Sequence, residues 1–470
     1  MAKAISRPVR SLVISACMAV VSLVVAGPVR GAEPASREAF SFAVELVRGS
    51  DPDMRAVALE RLRDGLPGEA YSAELAEKVL PSVPSDVQVR LISALAGRRD
   101  PAALPGLVSK LASTDEAVAA AAARAIATLG GAAEVPLLVA RLGAEGPLHD
   151  AARAGLVAIQ GADVSPRLLA AAADGGLAAT TRAALFEVAA ERRDRAAIPL
   201  LLTAARGDDP VLRAAAMRAV ARLAGPAEVP GMVAGFLAAS AGAERDAAER
   251  AILTVCGQGP ASEPAAAALM EAYRRAPDPA TQATLLPLLA RVGGKETLAI
   301  VDGLVADPDP ATRKLGLTAL SRWPDAAVKD RLLALLAKTT DEWERRLLVG
   351  TLIRIAPIPN NGLSDAQRLA LLADTLKLCT TDEDRRRILE RAGAIRTVET
   401  LRFIVPTLDT PAVAESAAKG VVELAHQQKL RDANKAEFMA ALDRVLAVAK
   451  DPITRERAER YKEGKTWERR

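Results

Sequence analysis

Pro105, Pro136, Pro166, Pro199, Pro230 and Pro264 follow one another at intervals of 31, 30, 33, 31 and 34 residues. A spacing this regular means that one small structural unit recurs. A unit of some 30 residues cannot bury its apolar face alone, so it stacks on its neighbours and the chain grows as an array rather than around one central core. Most of these prolines precede apolar residues, as in Val135-Pro136-Leu137-Leu138-Val139 and Ile198-Pro199-Leu200-Leu201-Leu202. Proline is tolerated in the first turn of a helix, where its missing N–H has no partner to lose. Each therefore marks the start of a short helix.

A second phase interleaves with the first. An acid, often Asp-Pro, opens another helix and an arginine follows one turn later: Asp51-Pro52 with Arg55, Asp86 with Arg90, Asp209-Pro210 with Arg213, Asp309-Pro310 with Arg313, Asp451-Pro452 with Arg455. The aspartate caps the helix by accepting a backbone N–H. Apolar residues then recur at helical spacing, as in Val211, Ala215, Val220 and Leu223, until Gly225 ends the helix. Second helices are expected to start near residues 51, 86, 115, 148, 178, 209, 245, 278, 309, 341, 382, 409 and 451, a mean period near 33.

The segment Leu200-Leu201-Leu202-Thr203-Ala204-Ala205-Arg206-Gly207-Asp208-Asp209-Pro210-Val211-Leu212-Arg213-Ala214-Ala215-Ala216 resembles the HEAT repeat, in which a leucine-rich first helix meets Asp-Pro-x-x-Arg and an alanine-rich second helix. The short period is most similar to bacterial HEAT repeats of the phycobilisome-lyase type. The resemblance spans residues 36 to 460. It implies an all-α fold, an α-solenoid (superhelix) of about 12–13 two-helix repeats. It implies too that Arg55, Arg90, Arg124, Arg213 and Arg313 form a ladder of Asp–Arg pairs between neighbouring repeats. The consensus residues are structural and carry no activity.

Composition agrees with helices. Hydrophobic residues make up 50% of the chain and aromatics only 3%, so small side chains fill the core, a poor supply for β-sheets. The first 31 residues hold Lys3, Arg7, Arg10 and Arg30 and no acid, which leaves 58 basic and 58 acidic residues in the remainder. A neutral body argues against binding nucleic acid, which rewards a basic excess. Basic residues are mostly arginine, consistent with a bacterial source.

Met1 to Arg10 is short and basic, Leu12 to Gly27 is apolar, and Val29-Arg30-Gly31 fits a small-x-small cleavage rule. This reads as a secretory signal peptide cleaved near Gly31, with a periplasmic or envelope destination. The apolar run falls short of the ~20 residues that span a bilayer, and no later segment is long enough to be a transmembrane span. Ile14-Ser15-Ala16-Cys17 matches a lipobox only loosely. The domain reading is a signal peptide over 1–31, a solenoid over 32–356, a loop or hinge at 357–362 where Pro357, Pro359, Asn360, Asn361 and Gly362 gather, further repeats over 363–450, and a charged cap and tail over 451–470.

Chemistry is scarce. The chain has two histidines, His149 and His426, in distant repeats, so they cannot share a metal ion or a triad, and ordinary zinc sites are left without ligands. Cys256 and Cys379 lie 123 residues apart, too many repeats for a disulfide, and are expected to be unpaired and buried. Phosphate loops, nucleophile elbows and haem motifs are missing, and no cofactor is expected. The acids of Asp341-Glu342 and Asp382-Glu383-Asp384 open helices, where the dipole favours them.

The expectation is therefore a non-catalytic scaffold of the cell envelope that binds a protein or peptide partner on its concave face. A chromophore-handling enzyme of the phycobilisome-lyase type and a spacer subunit of an exported complex are the alternatives. The candidate site falls between residues 320 and 391. Trp323 and Trp343 lie in adjacent repeats, Arg345, Arg346 and Arg354 follow on one helix, and Arg385, Arg386, Arg387 and Arg391 on the next. Tryptophan and arginine are the side chains that most often anchor protein interfaces.

Overall fold

A computed structural model describes residues 32–66, 68–257 and 262–466. The leader reading on residues 1–31 and the last four residues of the tail lie outside the described residues. Within them the chain forms 27 α-helices and no strand. It is an all-α solenoid in which first and second helices alternate.

Thirteen second helices are present, and local capping explains where most begin. Asp51, Asp115, Asp209, Asp278, Asp309, Asp341 and Asp451 each accept a backbone N–H from the first turn of the helix that follows. Such a cap is worth ~1 kcal/mol. One start is displaced, the one expected near 409, and at two others the residue at the cap is not the expected acid. Ser85–Arg98 begins behind Pro84, so Asp86 lies inside the first turn and is not the cap. Thr381 rather than Asp382 caps Asp382–Ala392. The segment Val405–Asp409 is a 3-10 turn, and the second helix there is Ala414–Ala425. The phase-marking prolines do fall in first turns, as in Leu104–Lys110, Val135–Val139 and Val229–Ala238.

The chain divides into two compact units, Met1–Ala204 and Ala205–Arg470. In the first, the alanine-rich helix Glu116–Leu129 packs against Ser85–Arg98 and Gly146–Ala158 and buries nine side chains, seven of them alanine. Small residues let the helix axes approach. In the second unit one continuous core runs from Leu286 through Trp323, Leu352, Leu389 and Val422 to Tyr461. Helix crossings there demand glycine at Gly316 and Gly420, where a Cβ would stand 2.7 Å from the backbone nitrogen of Val305 and 2.5 Å from the carbonyl oxygen of Leu389.

The recurrent first-turn arginine has a different role from the expected one. Its guanidinium folds back onto carbonyl oxygens at the end of the preceding first helix: Arg55 donates to Gly49 (2.7 Å), Arg182 to Ala172 (3.0 Å), Arg245 to Ala239 (2.7 Å) and Arg313 to Val305 (2.6 Å). A helix ends in unpaired carbonyls and a negative dipole, and the cation satisfies both. The ladder of Asp–Arg pairs is corrected too. The aspartates are occupied as caps, and the acid that meets Arg213 or Arg313 is a glutamate of the next repeat, Glu244 or Glu344. Arg90 and Arg124 are exposed.

The breaker segment 357–362 lies within the second unit. Asn361 is buried and donates from its side-chain nitrogen to the carbonyls of Ile355 (2.7 Å) and Ala356 (3.2 Å), while its Oδ1 accepts the Leu363 N–H. Arg368 donates to the Pro357 carbonyl at 3.1 Å. The loop thus closes the end of helix Glu342–Ile355 with its own side chains.

Candidate functional site

The structure sorts the nine candidate residues into two groups. Trp323 is 3% exposed and belongs to the core. Arg354 donates from Nη2 to the carbonyls of Ser321 (2.9 Å) and Trp323 (2.6 Å), closing the end of the preceding second helix. Burial, with Arg291, Arg322 and Arg391 nearby, holds its pKa below the ordinary arginine value. Arg345 reaches the Leu378 carbonyl at 3.0 Å, and Arg385 reaches that of Cys379 at 2.8 Å. Trp323, Arg345 and Arg385 are taken up by packing and capping, while Arg354 commits one guanidinium nitrogen, Nη2, to a helix end.

The other five face solvent on two successive second helices, Glu342–Ile355 and Asp382–Ala392, which pack against each other. Trp343 is 40% exposed. It is the second residue of its helix, and Lys314 of the preceding repeat sits 5.0 Å above its ring centroid. Arg346 pairs with Glu342 one turn back (2.9 Å) and Arg387 with Asp384 (3.4 Å). Arg386 touches the Ala412 carbonyl at 3.3 Å, and Arg391 that of Arg354 at 3.4 Å. Surface pairs of this kind are weak and easily exchanged for another anion. The result is an exposed indole beside several exposed guanidinium groups.

Sequence reasoning missed Lys314 and Arg322. Lys314 lies on the exposed side of helix Pro310–Leu320, and its helical phase relative to Trp343 was the available signal. Trp343 is part of a pattern as well. Val211 and Ile453, 47% and 55% exposed, occupy the same second position of their helices. Val211 was expected to face the core. It does not, because at that point the chain has only just entered the helix, and Leu212, Ala215 and Ala216 supply the buried face.

Elsewhere chemistry is sparse. His149 Nδ1 lies 2.9 Å from the Leu142 carbonyl, and His426 Nδ1 lies 2.9 Å from the Tyr461 hydroxyl. Among the described residues no three metal-capable side chains gather. Cys256 and Cys379 are buried and unpaired, and burial pushes each thiol up to about 11. A shallow apolar groove lies between the first helices Asp365–Leu378 and Val398–Ile404, lined by Leu369, Ala370, Ala373 and Phe403.

An array of paired helices with capped starts and arginine-closed ends is a helical-repeat protein of the α-solenoid class. Residues 72–157 and 266–353 match the family model of HEAT repeats, one stretch in each compact unit, so both units carry HEAT repeats. The match is to HEAT repeats as a class and does not single out the phycobilisome-lyase type. No curated protein matches the chain at a significant level. Among solved structures, the crystal structure of Kap121p aligns with a TM-score of 0.50 at 14% identity, covering 96% of this chain and 56% of that one. Kap121p bound to Ste12p gives 0.48 at 14% identity, over 95% and 57%. A Kap95p structure with RanGDP gives 0.46 at 12% identity, over 91% and 66%. The chain thus spans little more than half the length of Kap121p. At this identity the likeness is one of fold alone.

Proposed function

We propose that this chain is a non-catalytic scaffold of the bacterial cell envelope that holds a protein or peptide partner on its second helices, with Trp343 as anchor. One observation carries the reading: a tryptophan left 40% exposed under a lysine at 5.0 Å, on a surface where Arg346, Arg386, Arg387 and Arg391 also face solvent. A large aromatic beside cations is the composition of an interface hot spot. In HEAT arrays that this chain resembles, second helices line the concave side, and the partner is assigned to that side here. Export rests on the basic, apolar and small-residue pattern of residues 1–31. Kap121p has been solved bound to Ste12p and to Pho4p. A bound polypeptide is carried over from such solenoids as part of the proposal.

The test is a pull-down from the envelope fraction of the native cells, using the exported chain and a variant carrying Trp343→Ala and Arg387→Ala. A stoichiometric protein captured by the native chain and lost from the variant is the expected result. A folded native chain that captures no protein, or a variant that captures it equally well, overturns the assignment.

A further inference from the structure

Arginines near the ends of successive second helices reach back by one repeat. Arg391 donates to the Arg354 carbonyl (3.4 Å), and Arg354 donates to the carbonyls of Ser321 and Trp323, the two residues that flank Arg322. This chain of contacts gathers the Arg322, Arg354 and Arg391 side chains along the ends of three consecutive second helices. Burial lowers the Arg354 pKa most, and the charges of Arg291, Arg322 and Arg391 lower it further, so these cations act on one another.

What distinguishes the row is its lack of counter-charge. On the preceding second helix Arg291 pairs with Glu249 at 2.9 Å, and on the following one the row gives way to Glu423, which pairs with Arg457 of the second helix after that at 3.0 Å. Arg322, Arg354 and Arg391 have no carboxylate within ion-pair distance among the described residues. The Arg322 and Arg391 side chains are exposed, and Arg322 makes no side-chain hydrogen bond among the described residues. Like charges held together repel, and an anion that joins them relieves the repulsion and gains charge-assisted hydrogen bonds.

We infer that Arg322, Arg354 and Arg391 form a cradle for carboxylates of an acidic, extended polypeptide segment. This rests on the scaffold reading above and names the chemistry of its partner. The geometry narrows the partner further. Packed helices lie ~8–10 Å apart, so successive cradle positions step by about that distance. A polyproline II chain rises ~3.1 Å per residue with three residues per turn. Every third side chain then points the same way, ~9 Å from the last. A β-strand alternates faces with period two and cannot present every third residue to one side. The matching ligand is a proline-rich segment with an acid at every third position. A neutral body, with 58 basic and 58 acidic residues beyond the first 31, favours such a local match over the broad basic field that nucleic acid requires.

The test uses fluorescence anisotropy on the exported chain at low salt. The probe is a labelled peptide of about fifteen residues with glutamate at every third position and proline between. A second peptide of the same composition has its glutamates in one block. Variants are Arg322→Gln with Arg391→Gln, and Arg90→Gln as a control in the other unit. Arg354 is left intact because it closes a helix end. The spaced peptide is expected to bind several-fold more tightly than the blocked one, to lose about tenfold or more in affinity with the double variant, and to be indifferent to the control. Unaltered helical circular dichroism shows that the double variant is folded. Equal binding of the two peptides, equal binding by the double variant, or no binding at all overturns the cradle. So does stronger displacement of the peptide by inorganic pyrophosphate than by glutarate, which would mark a phosphate site. A native partner lost with Trp343→Ala but indifferent to Arg322→Gln and Arg391→Gln overturns the cradle while leaving the scaffold reading in place.

Discussion

Arg313 and Glu344 join two consecutive second helices through paired hydrogen bonds of 2.8 and 3.0 Å. They lie 31 positions apart, and Arg213 meets Glu244 at the same separation with bonds of 2.7 and 3.1 Å. In both pairs a hydroxyl side chain lies beside the glutamate, Thr339 donating to Glu344 and Ser240 lying near the Arg213 fork. The repeat period therefore sets the register of a bidentate ion pair as well as that of the helices. Arg313 also donates to Val305 at the end of a first helix and so ties three helices together, while Arg213 donates to Gly207 and Asp208 in the loop before its own helix.

A double-mutant cycle on Arg313 and Glu344 is expected to show this. Arg313→Ala alone should destabilise by ~2 kcal/mol or more, since it also frees the Val305 carbonyl, while the coupling with Glu344→Ala should be ~1–2 kcal/mol. Urea unfolding monitored by circular dichroism measures both.

Acid should loosen the same tie. The hydrogen bonds from Arg213 hold the Glu244 carboxyl down at about 2, against an ordinary value of 4.5. Its folded value is the lower one, so its contribution is complete above about 4.5 and is lost as pH falls from there toward 2. Glu344 is lowered in the same direction by Arg313. A chain with Glu244→Gln should lose less stability over that interval than the native chain. Chemical denaturation at stepped pH makes the comparison.

Gly350 and Gly420 both sit inside second helices, yet alanine should have opposite effects. A Cβ at Gly350 meets nothing closer than an Arg387 nitrogen at 3.9 Å, so Gly350→Ala should stabilise by ~0.5–1 kcal/mol. At Gly420 the Leu389 carbonyl stands 2.5 Å from that position, and Gly420→Ala should destabilise by ~1–3 kcal/mol. Thermal melts of the two variants decide it.

Trp323 and Trp343 should separate in the same way. Trp323→Ala empties a core position and should cost ~3–5 kcal/mol. Trp343→Ala should change stability by under ~1 kcal/mol and act on partner binding. Fluorescence quenching by iodide should reach Trp343 far more readily than Trp323.

Thiol chemistry should report burial. Cys256 and Cys379, each 5% exposed with the thiol raised to about 11, should react slowly with a disulfide reagent in the native chain and promptly, both together, in denaturant.

Much of the architecture was legible because it depends on neighbours in sequence. An aspartate accepts an N–H two or three residues on, as Asp209 does from Val211 and Leu212, and proline is favoured in the first turn. Such signals placed most of the second helices within a residue or two. They failed for the start expected near 409, where the helix begins at Ala414 behind Val413, a residue with no side-chain cap to offer. The site was less legible. Arg345, Arg346, Arg354, Arg386 and Arg391 look alike in sequence, and three of them end on the carbonyls of helix ends in other repeats.

The sequence by itself determined the period, the alternation of first and second helices and most of their starts, since capping and helical propensity act over three or four residues. Only the tertiary structure decided which arginines are spent on carbonyls some 33 positions away and which tryptophan is covered. Those choices depend on how one repeat stacks on the next, and residues a full repeat apart become neighbours only when the helices between them have packed.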